Sequence, residues 1–385
     1  MRKIHIWYEG LTRQASGCQI SANLEYPNGS QKAIFYKFPE AYQDYITDSS
    51  DPFVLATLFL AMSQCESIHV HGKVSPSLLQ NLTEYQAIWS CWCPQQYHPI
   101  EITADEEKED PAGQALDERA ICSFSGGVDS CFTAFRHATQ NCGRWTRHLK
   151  AGLMVHGFDI PLGESITFDK ASSRSKIMLD SLGVDLVTVS TNLRELPQNW
   201  EFSHGAAVAS VMMLLRKEFN VGLVASTDPY QQLPSIWGSH PIVDHLLSNR
   251  NLKIIHDGAA FSRTQKVQEL SNWGECLENL RVCWQGAEKD RNCGKCEKCI
   301  RTILNFRVLG LGLPDCFDDD VTDAEIRAVR LRSPSQCIEF DLLLQEAQKR
   351  NIKESWVEAL TNCINRNKTK KLLRELKSRV RKVLP

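Results

Sequence analysis

The sequence predicts an α/β fold: a parallel sheet covered by helices on both faces, preceded by an α+β module and followed by a helical region. Three observations carry that prediction. From Arg119 onward, short apolar runs alternate with helical stretches, the pattern of strands joined by crossover helices. Before it, Asn28-Gly29 sits between two alternating runs, which is a hairpin signal and so antiparallel pairing. Beyond residue 310 the pattern is helical, with a capping box at Thr322-Asp323-Ala324-Glu325.

In chain order, Met1–Tyr8 alternates as a strand, and Cys18–Tyr26 and Gln31–Phe38 flank the Pro27-Asn28-Gly29-Ser30 turn. Phe53–Cys65 reads as a helix and Ser67–His71 as a short strand. Ser75-Pro76 opens a second helix, with Ser as cap and Pro at the first helical position, running to Trp92 before Pro94. Residues 104–118 are acidic and contain Pro111 and Gly113, and read as a linker. Next come strand Ala120–Phe124, helix Asp129–His137, strand Ala151–His156, helix Ser165–Ser181, strand Asp185–Val189, helix His204–Glu218 and strand Gly222–Ala225. The expected organisation is therefore an N-terminal module over 1–103, a linker over 104–118, a nucleotide-type α/β domain over 119–310 and a helical region over 311–385.

The composition is that of an ordinary globular chain: 385 residues, 42% hydrophobic, 23% charged and a net charge of −2. Length and apolar content suffice for a full core, and no global basic field argues for nucleic acid. The apolar runs Phe53–Met62 and Ala206–Leu215 are shorter than the ~18 residues a membrane span needs. The N-terminus has no signal-peptide pattern, so a cytoplasmic location is expected. Fifteen cysteines in a reducing compartment point to metal binding where they cluster and to packing where they are scattered.

The first chemical motif is Ser123-Phe124-Ser125-Gly126-Gly127-Val128-Asp129-Ser130, between a predicted strand and a predicted helix. Two glycines let backbone N–H groups approach an anion, and a helix N-terminus adds unpaired donors. Ser125 and Ser130 supply hydroxyls. Asp129 would repel a bare phosphate, so its expected use is to hold Mg²⁺ or orient a donor. The bland alternative is a glycine-rich turn. No Walker A pattern occurs in the chain.

The second motif is Cys283, Cys293, Cys296 and Cys299, spaced C-x9-C-x2-C-x2-C, with Gly294 available for the tight turn. Four thiolates suit a closed, structural, tetrahedral Zn²⁺. An iron–sulfur cluster is the second reading of the same spacing, and four unrelated thiols the third.

The loop resembles the SGGxDS signature of the PP-loop ATP pyrophosphatases. With the cysteine knot near the domain's end, the chain is similar to the 7-cyano-7-deazaguanine synthases over roughly Arg119–Phe306, about half its length. The likeness extends to Cys283-Trp284-Gln285-Gly286, where that family commonly has Cys-Tyr-x-Gly, and to Cys293-Gly294-Lys295-Cys296-Glu297-Lys298-Cys299. It also includes Phe261-Ser262-Arg263-Thr264-Gln265-Lys266-Val267, where the family has a Ser-Lys-like segment at a helix start. The resemblance implies a Rossmann-like fold and a ligase using ATP and Mg²⁺, with Zn²⁺ in the knot. ATP would adenylate a carboxylate on a 7-deazaguanine-like molecule, releasing pyrophosphate; an amine would then displace AMP. It implies that Ser125, Gly126, Gly127, Asp129 and Ser130 hold ATP and Mg²⁺, with Asp129 and Ser130 closest to the chemistry. The sequence departs from the family in the N-terminal module, the basic C-terminal extension and a loosely similar middle segment, residues 226–230 through 237–241. Homologues with added domains are thought to serve in antiphage defence and attach a deazaguanine to a partner protein, a role the extra module would suit.

Further candidates lie after predicted strands, where parallel sheets bind ligands. Asp159, Asp228, Ser239, His240 and Arg263 are candidates for substrate contact, against the alternative of packed irregular loops. Ser203-His204 reads first as a helix cap. His69 and His71 share a strand face without an obvious carboxylate or cysteine partner. From Arg366 to the C-terminus the local charge is +8, which suits a solvated helix, a nucleic-acid contact or an acidic partner. Two rivals to the ligase reading follow: a tRNA-modifying enzyme using the same ATP chemistry, and a non-enzymatic ATP-sensing scaffold with the N-terminal module as its partner-binding part.

Overall fold

Gly29 takes φ 78° in the turn, a backbone region that costs glycine little. Around it the Gly29 N–H donates to the Tyr26 carbonyl and the Tyr26 N–H to the Ser30 carbonyl, both at 2.8 Å. Strands β2 (Gly17–Glu25) and β3 (Gln31–Phe38) pair antiparallel across that turn. β1 (Lys3–Gln14) pairs antiparallel with β2 on one side and parallel with β4 (Ser67–Val74) on the other. Helix α1 (Asp51–Gln64) precedes β4 and α2 (Pro76–Trp92) follows it. The computed structural model describes residues 2–14, 17–111, 117–233 and 236–383, with the backbone alone for Gln232 and 371–383.

The expected α/β alternation follows: β6 (Ala120–Ser123), α3 (Val128–Ala138), β7 (Leu149–His156), α4 (Ser165–Ser181), β8 (Asp185–Thr191), α5 (Trp200–Leu214), β9 (Val221–Ala225) and β10 (Lys253–Asp257). With β5 (Glu101–Glu107), all ten strands form one mixed, mostly parallel sheet in the order β10-β9-β6-β7-β8-β3-β2-β1-β4-β5. Its parallel half, β10-β9-β6-β7-β8, has the doubly wound order of the Rossmann-like class, and the strand order reverses between β6 and β9.

Helices cover both faces of that half. A Cβ on Gly152 would meet Leu179 of α4 at 2.6 Å, whereas one on Gly222 would meet Met212 of α5 at 2.8 Å. Gly152 lies beside Cys122, and Gly222 beside the adjacent Ile121. Neighbouring residues of a strand point to opposite faces, so α4 and α5 lie on opposite sides. The α5 side is the larger core, joining Ile121, Ala151 and Val187 to the helices and strands of the first hundred residues.

The chain divides into two compact units, residues 1–227 with 236–259, and 228–235 with 260–385. This differs from the expected organisation. The N-terminal module is built into the first unit through antiparallel pairing of Tyr36 with Thr191, between β3 and β8. Buried Tyr36 also shares a 2.9 Å hydroxyl contact with Ser210 of α5. The expected linker is not one: Glu101–Glu107 is strand β5, parallel to β4. Its acidic residues, Glu101, Asp105, Glu106 and Glu107, are exposed on a strand at the edge of the sheet. Further on, Asp110 bonds to Arg216 and Lys73, while residues 112–116 fall outside the described residues. Helix α5 starts at Trp200 rather than His204, because the Asn199 side chain caps it by accepting the Glu201 N–H at 3.0 Å. Ser203, the expected cap, is buried inside the helix.

The second unit holds α6 (Arg263–Leu270), α7 (Gly274–Asn279), α8 (Glu297–Val308), α9 (Asp323–Ala328), α10 (Pro334–Lys349) and α11 (Ser355–Val383). Capping boxes open α6 (Ser262 with Gln265), α9 (Thr322 with Glu325, as expected) and α10 (Ser333 with Gln336). No helix among the described residues is long and apolar enough to cross a membrane.

Candidate active site and metal centre

The glycine-rich loop leaves β6 at its carboxyl end and enters α3, at the reversal of strand order. Open α/β sheets bind ligands at this position. Gly126 takes φ 75° and Gly127 is the N-cap of α3. The left-handed glycine turns the chain so that the first N–H groups of α3 lie at the loop. Ser130 organises the loop from within: its hydroxyl donates to the Gly127 carbonyl at 3.0 Å and accepts the Ser125 N–H at 3.2 Å. The Ser125 hydroxyl lies 3.3 Å from it. Ser125 is exposed, Asp129 half-buried in the first turn of α3, and Ser130 buried. The loop thus presents a backbone cradle, one exposed hydroxyl and one carboxylate.

Behind the loop, α3 is anchored to the carboxyl end of β10. Asp257, fully buried, accepts the Thr133 hydroxyl at 2.9 Å and the Trp145 indole N–H at 3.3 Å, with His137 Nε2 at 3.2 Å. The Arg147 N–H donates to His137 Nδ1 at 3.0 Å, which places the proton on Nε2, toward Asp257. Burial would raise the Asp257 carboxyl, but bonds from His137 and Thr133 and the Arg136 charge hold it below the ordinary carboxylate range. Sequence reading missed Asp257 because β10 is short and ends in polar residues.

A second cluster forms around the segment 237–241. The Ser239 hydroxyl donates to Asp244 Oδ2 at 2.6 Å, and the same carboxylate oxygen lies 2.7 Å from His256 Nδ1. Asp244 Oδ1 accepts the His240 N–H at 2.9 Å. Both Ser239 and Asp244 approach the same imidazole nitrogen, so the trio is not the relay of a serine hydrolase, which needs opposite ring nitrogens. The segment docks on the start of α5. The Gly238 N–H donates to the Glu201 carbonyl at 2.9 Å, and a Cβ at Gly205 would strike the Gly238 carbonyl at 2.1 Å. His204, which the cap reading set aside, belongs here: its ring lies 5.3 Å from that of Trp237. Burial lowers its pKa from the ordinary value. Sequence reading missed Asp244 and His256, whose grouping with Ser239 depends on the turn that follows His240.

The structure therefore brings Ser239 and His240 together with His204, Asp244 and His256. Asp159 is half-buried in the turn after β7; there Gly157, at φ 102°, passes so close to Thr191 that a Cβ would meet its carbonyl at 1.9 Å. Asp228 and Arg263 belong to the second unit. The Ser335 hydroxyl donates to Asp228 at 3.5 Å, while Arg263 is buried at the first position of α6, with Lys266 buried one turn on.

The four cysteines form one cluster in the second unit, their sulfurs all within 4.8 Å of one another. Cys293 and Cys299 Sγ stand 3.8 Å apart, matching the roughly 3.8 Å edge of a tetrahedron with metal–sulfur bonds of about 2.3 Å. Backbone N–H groups of Cys293 and Cys296 donate to the sulfurs of Cys283 and Cys293, at 3.4 and 3.3 Å. Gly294 takes φ 69° in the knuckle, and Cys299 lies in the first turn of α8. The Lys298 ammonium sits 3.6 Å over the Trp284 ring. The donor set and spacing can hold a metal ion such as zinc. Of the basic tail, side chains from residue 371 on lie outside the described residues.

Comparison with models of known families, with curated proteins and with solved structures gave no match for this chain.

Proposed function

We propose that this chain is a PP-loop ATP pyrophosphatase that activates a carboxylate as its adenylate and passes the acyl group to an amine. The observation that carries the reading is the Ser-Gly-Gly-Val-Asp-Ser loop at the carboxyl end of β6, at the reversal of strand order. A P-loop lysine is not needed for such a cradle, because oriented N–H groups and a helix terminus already favour a polyphosphate.

The chemistry follows from the groups present. A carboxylate oxygen of the substrate attacks the α-phosphorus of ATP, and the bond to the β,γ-pyrophosphate breaks. The loop N–H groups, with the Ser125 hydroxyl, bond the charge that grows on the departing pyrophosphate. Asp129 is the acidic group of the loop, and a carboxylate beside phosphates fits Mg²⁺, which would neutralise polyphosphate charge. In the second half, an amine attacks the acyl carbon and AMP leaves with its bonding electrons. Zn²⁺ in the cysteine cluster is structural in this reading, since four thiolates leave no position for water.

The substrate class proposed is a 7-deazaguanine carboxylate, on the likeness of the loop and the cysteine knot to the 7-cyano-7-deazaguanine synthases. The direct test incubates the protein with ATP, Mg²⁺ and 7-carboxy-7-deazaguanine, with and without ammonium. AMP, pyrophosphate and product mass are measured. AMP with an amide or nitrile supports the synthase reading. AMP with the deazaguanine on a polypeptide moves the acceptor to a protein amine. ATP binding without AMP, across a panel of carboxylates, would overturn the enzymatic reading in favour of a nucleotide sensor.

A further inference from the structure

Far along the sheet from the loop, strands β1, β4 and β5 bring three imidazoles and a carboxylate onto one face. His5 pairs with His69 across β1 and β4, and His69 with Thr103 across β4 and β5. His69 Nε2 lies 3.0 Å from Asp105 Oδ1, and His71 Nδ1 lies 3.5 Å from Asp105 Oδ2. The three ligand atoms of His69, His71 and Asp105 are within 4.8 Å of one another. A tetrahedral ion with bonds of about 2.0–2.1 Å needs its ligand atoms about 3.3–3.4 Å apart, and the two imidazole-to-carboxylate distances of 3.0 and 3.5 Å bracket that value.

The outer nitrogens are also engaged. His69 Nδ1 lies 2.9 Å from the Thr103 hydroxyl, which itself donates to the Ile68 carbonyl at 3.4 Å. With its proton directed there, that hydroxyl accepts from Nδ1–H and leaves the His69 Nε2 lone pair toward Asp105. His71 Nε2 lies 3.0 Å from His5 Nδ1; donation from His71 leaves its Nδ1 lone pair on the same side. Two imidazole lone pairs then face the same carboxylate. Outer partners that fix tautomers in this way are what metal-binding histidines use. The Trp7 ring stacks on His71 at 3.5 Å between centroids.

We propose that His69, His71 and Asp105 form a binding site for a divalent transition ion, with Thr103 and His5 orienting the two imidazoles. Mixed imidazole and carboxylate donors select Zn²⁺, Ni²⁺ or Cu²⁺ over Mg²⁺ or Ca²⁺. Three donors leave a fourth position open to water or to a group from a partner. The ion ties the edge strand β5 to β4.

The test uses the full chain with its cysteine-bound metal in place. Ni²⁺ is added and quenching of tryptophan fluorescence followed, with Zn²⁺ as competitor and equilibrium dialysis for stoichiometry. The expected result is one further equivalent of metal per chain. It should bind at least about tenfold more weakly in His69→Gln, in His71→Gln and in Asp105→Asn, and about tenfold more weakly in Thr103→Val. Trp7→Phe should bind normally but lose most of the quenching. Circular dichroism without added metal shows that each variant is folded, and these side chains are partly exposed. No further equivalent, or uptake unchanged in the His69→Gln/His71→Gln double variant, overturns the proposal and leaves a proton-shared network.

Discussion

The backbone N–H of Ala225 donates to the hydroxyl of Ser123 at 3.2 Å. Ladder pairing of β6 with β9 ends just before this bond, at Cys122 and Leu223. The Ser123 side chain therefore replaces a backbone acceptor where the two strands part, and the proposed phosphate loop begins at the next residues. Ser123→Ala should cost about 1 kcal/mol of stability, read by urea unfolding. It should also lower ATP affinity, read by calorimetric titration.

Asp129 tests the proposed chemistry most sharply. Asp129→Asn keeps the size of the side chain and removes its charge. Pyrophosphate release should fall by at least about a hundredfold, on the order of 3 kcal/mol of transition-state stabilisation, with the circular dichroism spectrum unchanged. Normal release by this variant would remove Asp129 from the site.

The cysteine cluster predicts a metal-dependent second unit. Cys299, fully buried in the first turn of α8, is the ligand whose loss should matter most. Cys299→Ser should purify with less cysteine-bound metal and unfold several degrees lower, as loss of a structural ion implies. Elemental analysis and calorimetry read both effects. A variant with the wild type's metal content and unchanged melting would remove Cys299 from the metal site.

Arg216 is buried between two carboxylates, Asp51 and Asp110. Asp51 also accepts the Ser75 N–H at 2.8 Å and the Asn249 side chain at 2.8 Å. Removing the cation leaves buried negative charge behind, a defect of about 3–5 kcal/mol. Arg216→Met should show it in denaturant unfolding.

The same network sets a pH dependence. Burial would raise the Asp110 carboxyl, but Lys73 and Arg216 hold it down at about 2. A carboxyl with a folded pKa below its unfolded value contributes stability above the ordinary range near 3.9, and that contribution is lost as pH falls toward 2. The expected loss is roughly 2 kcal/mol over that interval, absent in Asp110→Asn. Melting curves from pH 5 to about 2 test the slope.

The parts of the fold legible in the sequence were those governed by local chemistry. Asn28-Gly29 marked its hairpin, Thr322 and Glu325 their capping box, and the apolar alternation after Arg119 its parallel strands. What escaped depended on partners distant in the chain. β5 reads as a charged linker because an edge strand can be solvated on its outer side, and its identity comes from pairing with β4. Asn199 outcompeted Ser203 as cap because Trp200 and Phe202, half-buried, pack against the core and draw that turn into the helix. In the candidate sites the short-range motifs were visible as strings, whereas Asp244, His256 and Asp257 join theirs only through tertiary folding. Asp105 likewise meets His69 and His71 only across two neighbouring strands.

The sheet that runs on through β3 and β8 imposes an order of events on the growing polypeptide. Phe35 waits for Thr191, whose hydroxyl donates to its carbonyl from 156 residues further on. During synthesis the β2–β3 hairpin emerges early and holds one unpaired margin until that later strand leaves the ribosome. Such a margin is a template for misplaced pairing between nascent chains. Slow translation between these strands would prolong the exposure, and a chain cut short before Thr191 would carry it permanently.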